Sequence, residues 1–358
     1  MKKILKKIHL IIALLSVIFL VNISISGSLL VFAKEIQHWL APTQWTVTPT
    51  TAPLPISALL KAVNLGTDDQ VKQISVGISP ELAWQFKTTK GHYISVDQYR
   101  GTVLNQYQRE QSFYGFVMAW HRWLLITTEE GKRPLKVVIS SVSLLLIIEV
   151  LIGGWLWLKP KKRLKRLKIR WSNKLKVNVI QLHGVIGIIC AIPLVLMAFS
   201  GMAFHWQDQT KAVVETLTLS DIDTVNHPKI IEQDPSQWRI DHAMNAGMIA
   251  IKQRQAQLTR IYLPVGAQPL KLRVRMPDEF WGFSWIWLDP TTGRIIDSFD
   301  ATKTSLATRI WHFKYTFHVG AFFGLTTRLL WLLLALLPGA FAISGLWLYW
   351  QRRRSFKV

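Results

Sequence analysis

Four long apolar stretches alternate with more polar segments along the chain. They cover residues 9–32, 135–158, 179–204 and 325–349. About 20 apolar residues are enough to cross the hydrocarbon core of a bilayer. The pattern therefore predicts four membrane-spanning helices, with two long connections at residues 33–134 and 205–324.

The two long connections repeat one pattern of short elements. Each contains a stretch with apolar residues at helical spacing, residues 56–63 and 242–253, followed by a strand–turn–strand pattern. The turns run from Asp97 to Gly101 and from Asp289 to Gly293, and apolar positions alternate on both sides of each. We therefore expect a small α+β domain in each connection.

A shorter aromatic segment precedes the second and the fourth apolar stretch. These segments, residues 113–126 and 310–323, are too short to span a bilayer and are predicted to lie at its outer interface. The predicted fold is an α-helical membrane protein, a four-helix transmembrane bundle with two α+β domains in a two-fold internal repeat. Its predicted parts are helix 1 (1–33), domain 1 (34–111), an interfacial helix with helix 2 (112–158), a basic loop (159–178), helix 3 (179–206), domain 2 (207–304), an interfacial helix with helix 4 (305–350) and a tail (351–358).

The charge distribution predicts the topology. The formal net charge is +22, but basic residues cluster at the N-terminus, between Lys159 and Lys176, and at the C-terminus. Such clusters mark cytoplasmic segments, and the rest of the chain is nearly balanced, which argues against nucleic acid. We expect a bacterial inner-membrane protein with both termini cytoplasmic and two periplasmic domains. Residues 31–33 resemble a signal cleavage site, but an uncleaved anchor is favoured because the apolar run is too long for a signal peptide.

Two histidines occupy matching places in this repeat. The Ser26-Gly27 step follows His9, and the Ser200-Gly201 step follows His183, with 18 residues from the histidine to the glycine in both cases. Intramembrane histidines are functional candidates, although each alone could be an interfacial residue among lysines. Carboxylates and thiolates for zinc are absent nearby, whereas two imidazoles on facing helices suit the axial positions of haem b. The small residues in these helices allow close approach of a backbone or a flat macrocycle.

The aromatic segments supply a second predicted pair, His121 and His318. His312 and His205 are possible substitutes. His205 lies roughly 33 Å along a straight helix from His183 and cannot share a centre with it. Four other histidines are interpreted as surface or core residues: His38, His92, His227 and His242.

Other polar or reactive positions are open to two interpretations each. Glu149 interrupts the second apolar stretch and is either a proton relay or a structural hydrogen-bond partner. Cys190 is expected to be an ordinary packing residue of its helix. Arg273 and Arg275 are expected on a solvated strand face, with attraction of an anion as the alternative. Trp281, Trp285 and Trp287 are expected in a domain core or on a membrane-contacting face.

The motifs resemble the PepSY-associated transmembrane proteins, also called iron-regulated membrane proteins. The resemblance covers nearly the whole chain and is carried by these motifs: Ile8-His9-Leu10, Trp120-His121-Arg122-Trp123, Leu182-His183-Gly184, Phe317-His318-Val319-Gly320, Ser344-Gly345-Leu346-Trp347 and the two Asp-x-x-x-Gly turns. Met118 and Val319 depart from the family pattern, where histidine and threonine are usual.

Some members of that family are dihaem reductases that release iron from ferric siderophores. The resemblance implies two haems b held by His9, His183, His121 and His318. It also implies an Fe(III) chelate such as a ferric siderophore as substrate, and a cytoplasmic or membrane electron donor, since the chain has no nicotinamide or flavin motif. The alternatives are a scaffold that binds a periplasmic partner such as a peptidase, and a transporter that uses Glu149.

Overall fold

The computed structural model describes residues 2–50, 52–63, 69–159 and 164–354. Residues 160–163 of the predicted basic loop and 355–358 of the predicted tail lie outside the described residues. The chain divides into two compact units. The helical unit comprises Met1–Phe32, Val117–Val213 and Lys314–Val358, and the sheet unit comprises Ala33–Phe116 and Val214–Phe313.

The helices are long in the apolar stretches and short in the connections. They are α1 (Lys2–Leu40), α2 (Pro42–Trp45), α3 (Ile56–Val63), α4 (Phe113–Trp123), α5 (Leu135–Leu158), α6 (Leu175–Ile189), α7 (Ala191–Met202), α8 (Gln207–Thr218), α9 (Ile240–Gln253), α10 (Leu306–Val319) and α11 (Gly324–Arg354). Among the described residues, α1, α5 and α11 are each long and apolar enough to cross a membrane, and α6 with α7 qualifies as a bent pair.

The third apolar stretch is bent rather than straight. α6 and α7 meet at Cys190 with an angle of 66°, where the sequence predicted one continuous helix over residues 179–206. Pro193 explains the break, because proline has no N–H to donate and its ring collides with the carbonyl group four residues earlier. That carbonyl belongs to Ile189, the last residue of α6.

Polar contacts hold the long helices together at small residues. The Gly339 amide of α11 donates a hydrogen bond of 2.7 Å to Ser24 Oγ of α1, next to the helix-internal Pro338. On the same helix α1, Ser16 Oγ donates a hydrogen bond of 3.4 Å to the buried carboxyl group of Glu149. The Glu149 carboxyl group therefore has a hydrogen-bond partner on a neighbouring helix.

The sheet unit contains one antiparallel sheet of eight strands. The strands are β1 (Val71–Ser75), β2 (Trp84–Thr88), β3 (Tyr93–Val96), β4 (Val103–Tyr107), β5 (Gln257–Tyr262), β6 (Leu270–Arg275), β7 (Ser284–Leu288) and β8 (Ile295–Phe299). Their order is β4-β3-β2-β1-β5-β6-β7-β8. The sequence predicted two α+β domains, but the pairing of β1 with β5, centred on Ile74 and Ile261, joins both segments in one sheet.

The two predicted hairpin turns are present in matching form. Asp97 Oδ1 accepts hydrogen bonds from the amides of Tyr99 and Arg100, and Asp289 Oδ1 does so from those of Thr291 and Thr292. Gly101 and Gly293 close the turns with φ values of +73° and +72°, a conformation that glycine adopts without strain.

The two faces of the sheet differ sharply in composition. One face is apolar and packs against helices α3 and α9 to form the core of the unit. Its central row across the strands is Ile94, Phe86, Ile74, Ile261, Leu272 and Ile286. We call the opposite face the polar-aromatic face. Its first row is Tyr107, Tyr93, Lys87, Gln73, Tyr262, Lys271, Trp287 and Asp297, and its second row is Asn105, Ser95, Gln85, Ser75, Arg260, Arg273, Trp285 and Phe299.

Candidate functional site: four histidines in the helical unit

Helix α4 and helix α10 bring two of the predicted ligands together. The ring centroids of His121 and His318 are 6.3 Å apart, with an angle of 51° between the ring planes. Both side chains belong to the helical unit. The two aromatic segments, which are far apart in sequence, therefore place a facing pair of imidazoles in one site.

His318 is held through one of its two ring nitrogens. Its Nδ1 lies 3.0 Å from Ser200 Oγ and 3.2 Å from the Met197 carbonyl oxygen, both on α7. Gly201 provides the space beside the ring, since a Cβ atom at this position would lie 3.0 Å from His318 Cε1. The ring of Phe204 packs edge-on against His318 at 5.3 Å. Nδ1 is thus occupied by the protein, while Nε2 makes no hydrogen bond to the described residues.

The surroundings of His121 repeat this arrangement on α1. Its Nδ1 lies 3.1 Å from Ser26 Oγ. A Cβ atom on Gly27 would lie 3.1 Å from His121 Cε1. The backbone at Ile23, four residues before Gly27, also interacts with this imidazole. Each ring of the pair therefore rests on a Ser-Gly step of an apolar helix.

His183 rests on a third Ser-Gly step, in α11. Its Nδ1 lies 2.9 Å from Ser344 Oγ. A Cβ atom on Gly345 would lie 4.0 Å from His183 Cε1, and the Phe341 ring packs edge-on at 5.0 Å. The position of His183 is therefore fixed by the last apolar helix of the chain.

The surroundings of His9 differ from those of the other three histidines at one atom, Nδ1. It lies near enough to His183 for the two imidazoles to interact electrostatically. It rests on Gly153 of α5, whose added Cβ atom would lie 3.6 Å from His9 Cε1. The preceding residue is Ile152 instead of serine, and the buried Nδ1 of His9 has no hydrogen-bond partner among the described residues. The Glu149 carbonyl interacts with this ring without reaching hydrogen-bond geometry.

The possible substitutes lie in other surroundings. His312 stacks on Phe283 in the sheet unit, with ring centroids 4.2 Å apart and planes 5° apart. His205 is exposed just after the end of α7.

Four imidazoles held by Nδ1 or facing a backbone carbonyl are suited to binding metal. A ring whose Nδ1 is directed at a protein acceptor presents Nε2 as the ligand atom, because the hydrogen bond selects the tautomer. Basic side chains lie close to the pair formed by His121 and His318: Arg122 and Lys314 are 6.0 and 5.8 Å from the centroid of Phe204, which packs against His318. The site can therefore hold metal ions between paired imidazoles and balance negative charge next to one pair.

The sequence did not reveal what the Ser-Gly steps do. Ser26-Gly27 and Ser200-Gly201 were recognised as part of a repeat, but their contacts with His121 and His318 cross between the predicted pairs. Gly153 and Ser344-Gly345 were not singled out as site residues. The available signal was a Ser-Gly step in the first, third and fourth predicted membrane helices and a glycine, Gly153, in the second.

One expectation about the strands was wrong. Arg273 does not lie on a solvated face: it is half-buried and lies 4.9 and 5.5 Å from the ring centroids of Phe283 and Trp285. Trp287 is 1% exposed, and Trp285 is half-buried beside it, which agrees with a position inside the domain.

Comparison with known proteins identifies the family. Residues 6–352 match the sequence profile of the PepSY-associated TM region. No curated protein matches the chain at a significant level. Because the match covers nearly all 358 residues, the chain belongs to the PepSY-associated transmembrane family.

Proposed function

We propose that this protein is a haem b protein of the bacterial inner membrane that passes electrons to periplasmic Fe(III) chelates. The observation that carries the proposal is the facing pair His121 and His318, each held through Nδ1. Metal–imidazole nitrogen bonds are about 2.0 Å long, so two imidazoles on opposite sides of one ion have centroids roughly 6 Å apart. The separation of 6.3 Å fits that requirement.

The donor set fits haem better than zinc or a hard cation. Each predicted pair consists of two imidazoles, and b-type haem iron needs two such axial ligands. Glycine beside each ring leaves room for a flat macrocycle. We call His121 and His318 the outer pair, because the proposed topology places them on the periplasmic side. Next to this pair, Arg122 and Lys314 would complement the carboxylates of a haem. We therefore assign His121 with His318 to one haem and His9 with His183 to a second.

The cofactor would supply reversible one-electron transfer, and the chain would supply orientation. The serine hydroxyls and the Met197 carbonyl hold three of the rings in a tautomer that presents Nε2 to iron. A hydrogen bond to the ring nitrogen that does not face the metal also raises the basicity of the ligand. The electron donor is a separate molecule of the cytoplasm or the membrane, since the chain lacks a dinucleotide-binding motif.

The proposed topology has four spans, with both termini cytoplasmic and the sheet unit periplasmic. The bent pair α6–α7 counts as one span. A two-fold internal repeat is supported by the sheet order, in which β1 and β5 lie at the centre and the next three strands of each half follow outward in chain order. It is also supported by the matched Ser-Gly contacts of His121 and His318. In this arrangement the basic clusters lie on the cytoplasmic side.

The test is the visible spectrum of purified protein. Protein from haem-replete cells is expected to show low-spin b-type bands that sharpen with dithionite, with close to two haems per chain. The dithionite-reduced protein is then mixed with a ferric chelate under nitrogen, and reoxidation is followed together with trapping of Fe(II) by ferrozine. A colourless preparation would refute the proposal in favour of a scaffold that binds a periplasmic partner.

A further inference from the structure

The polar-aromatic face of the sheet is not an ordinary solvated face. Its two rows contain no aliphatic residue, and all members except Asp297 on the outermost strand β8 are half-buried or buried. The solvated face of an antiparallel sheet usually carries mixed, exposed polar residues. Here tyrosines and tryptophans alternate with basic and amide side chains, a combination that is typical of ligand-binding surfaces.

The charge on this face is unbalanced. Four basic residues, Lys87, Arg260, Lys271 and Arg273, share it with the single carboxylate of Asp297. Arg260 lies directly opposite Arg273 on the neighbouring strand, where like charges are destabilising. None of the four forms an ion pair within 4 Å among the described residues.

The neighbouring groups neutralise this charge only in part. Glu279 interacts electrostatically with Arg273, but its carboxylate accepts hydrogen bonds from the amides of Met276 and Phe283 and from Ser284 Oγ. Burial lowers the pKa of Lys271 and that of Arg273. Lys271 and Arg273 are therefore partly desolvated, and the basic charge of the face exceeds the nearby negative charge, an arrangement that a bound anion would stabilise.

Aromatic rings border the basic centre on both sides. Tyr93 and Tyr107 stack at 5.6 Å towards one end of the sheet. Tyr262 and Trp285 pack at 5.4 Å towards the other, beside Trp287. Polar side chains of Gln73, Ser75 and Gln85 lie between them. Rings at this spacing offer stacking surfaces for planar groups of a ligand.

We propose that the polar-aromatic face binds a small anionic chelate that carries aromatic rings, which among Fe(III) chelates means the tris-catecholate class. The basic residues would contact the anionic catecholate oxygens, and Tyr93, Tyr107, Tyr262 and Trp285, which are half-buried, would stack on the rings. Neutral tris-hydroxamate chelates lack both features. The identification of the ligand as an iron chelate rests on the proposed function, but the binding face does not.

The experiment measures binding without electron transfer. Full-length protein in phosphatidylcholine nanodiscs is titrated with the trianionic Ga(III) complex of a tris(2,3-dihydroxybenzamide) ligand, and tryptophan fluorescence and calorimetry report binding. The neutral Ga(III) complex of a linear tris-hydroxamate is the comparison. We expect saturable binding of the first complex and at least about tenfold weaker binding of the second, as loss of the charge contacts implies.

Two variants and one control locate the site. Arg260→Gln and Arg273→Gln are each expected to raise the Kd by about tenfold. Arg294→Gln removes one charge from an exposed hairpin position and should leave the Kd unchanged. Thermal unfolding separates binding from folding: Arg260→Gln removes one member of the opposed arginine pair and should leave Tm unchanged or raise it, whereas loss of a purely structural arginine would lower Tm.

Three results would overturn the proposal. They are equal binding of both complexes, variants that bind as the wild type does, and loss of binding when phosphatidylglycerol is added to the nanodiscs, which would assign the face to lipid. Because Ga(III) is not reduced, the titration is repeated on the His121→Ala variant. Binding that persists in this variant, which lacks the haem proposed at His121 and His318, would uphold this inference while the proposed reductase function fails.

Discussion

Ser200 Oγ lies 3.0 Å from Nδ1 of His318. The helix that bears Ser200 follows His183 in the chain, so a residue that the sequence linked to one predicted pair supports a member of the other. The same crossing occurs between Ser26, on the helix of His9, and His121. The two histidine pairs are therefore coupled through α1 and through the α6–α7 segment, and a change in one of these helices can affect both sites.

The first prediction assigns the ligands. His121→Ala and His318→Ala should remove the same spectral component, about half of the haem absorbance, while His9→Ala and His183→Ala should remove the other component, because each haem needs both axial imidazoles. Reduced-minus-oxidised spectra provide the measurement, and His205→Ala and His312→Ala are the controls. If His318→Ala kept both components and His312→Ala lost one, the outer assignment would be wrong.

The second prediction tests the glycine contacts. Gly201→Val should displace the His318 ring and weaken the outer haem, since even a Cβ atom there would lie 3.0 Å from Cε1. Gly27→Val should act alike on His121. Haem content and the low-spin signals in electron paramagnetic resonance provide the readout. Gly187→Ala is the control, because its nearest neighbour, Phe341, would lie 4.0 Å away; equal loss in this variant would point to general helix disruption.

The third prediction is a gain of a hydrogen bond. Ile152→Ser should place a hydroxyl group beside Nδ1 of His9, which has no hydrogen-bond partner in the described part of the chain, as Ser344 does for His183. A bonded imidazole is a more basic ligand, so the midpoint potential of the inner haem should fall while that of the outer haem stays the same. Ile152→Ala is the matched control. Potentiometric titration that shows no difference between the two variants would exclude this role for the hydroxyl.

The fourth prediction concerns the shared sheet. Phe86 is fully buried in the apolar central row, and Phe86→Ala should cost about 3–5 kcal/mol of unfolding free energy. Ile78→Ala, at a residue that is 80% exposed, should cost little. Thermal unfolding in detergent, followed by tryptophan fluorescence, compares them. A similar Tm for both variants would contradict a core at this row.

The fifth prediction tests the topology. Reporter fusions after Gln108 and after Asp297 should show a periplasmic location, and a fusion after Arg170 a cytoplasmic one, because clustered basic residues stay in the cytoplasm. Paired reporters that are active on opposite sides of the membrane serve as mutual controls. A cytoplasmic signal at Gln108 would invert the proposed orientation.

The sequence predicted local elements better than long-range pairings. Helix α3 was predicted with its observed bounds, and both Asp-x-x-x-Gly turns were located, because helical spacing and turn chemistry are local properties. The bend at Cys190 was not predicted, because the prediction of one helix used apolar content alone and did not consider Pro193, which explains the bend. The pairing of Ile74 with Ile261 was not predicted, since any two apolar strands can satisfy the alternation that identifies them.

For the site as well, the sequence predicted local features better than long-range contacts. The spacing of His9 and His183 singled out both residues, and the aromatic segments singled out His121 and His318. That His121 lies on Gly27 depends on how α4 packs against α1, which no pattern within one helix records. The half-burial of Arg273 likewise depends on rings from other segments, so its alternation on the strand suggested a solvated face.

The junction between β1 and β5 has a consequence for any shortened form of this chain. A fragment that ends after α5 would hold β1 with unsatisfied backbone amides and carbonyls along one side, and the complementary fragment would hold β5 in the same condition. Exposed strands of this kind recruit other strands and promote aggregation. The two halves should therefore be insoluble when each is produced alone. Co-expression should restore solubility, because β1 and β5 then pair with each other.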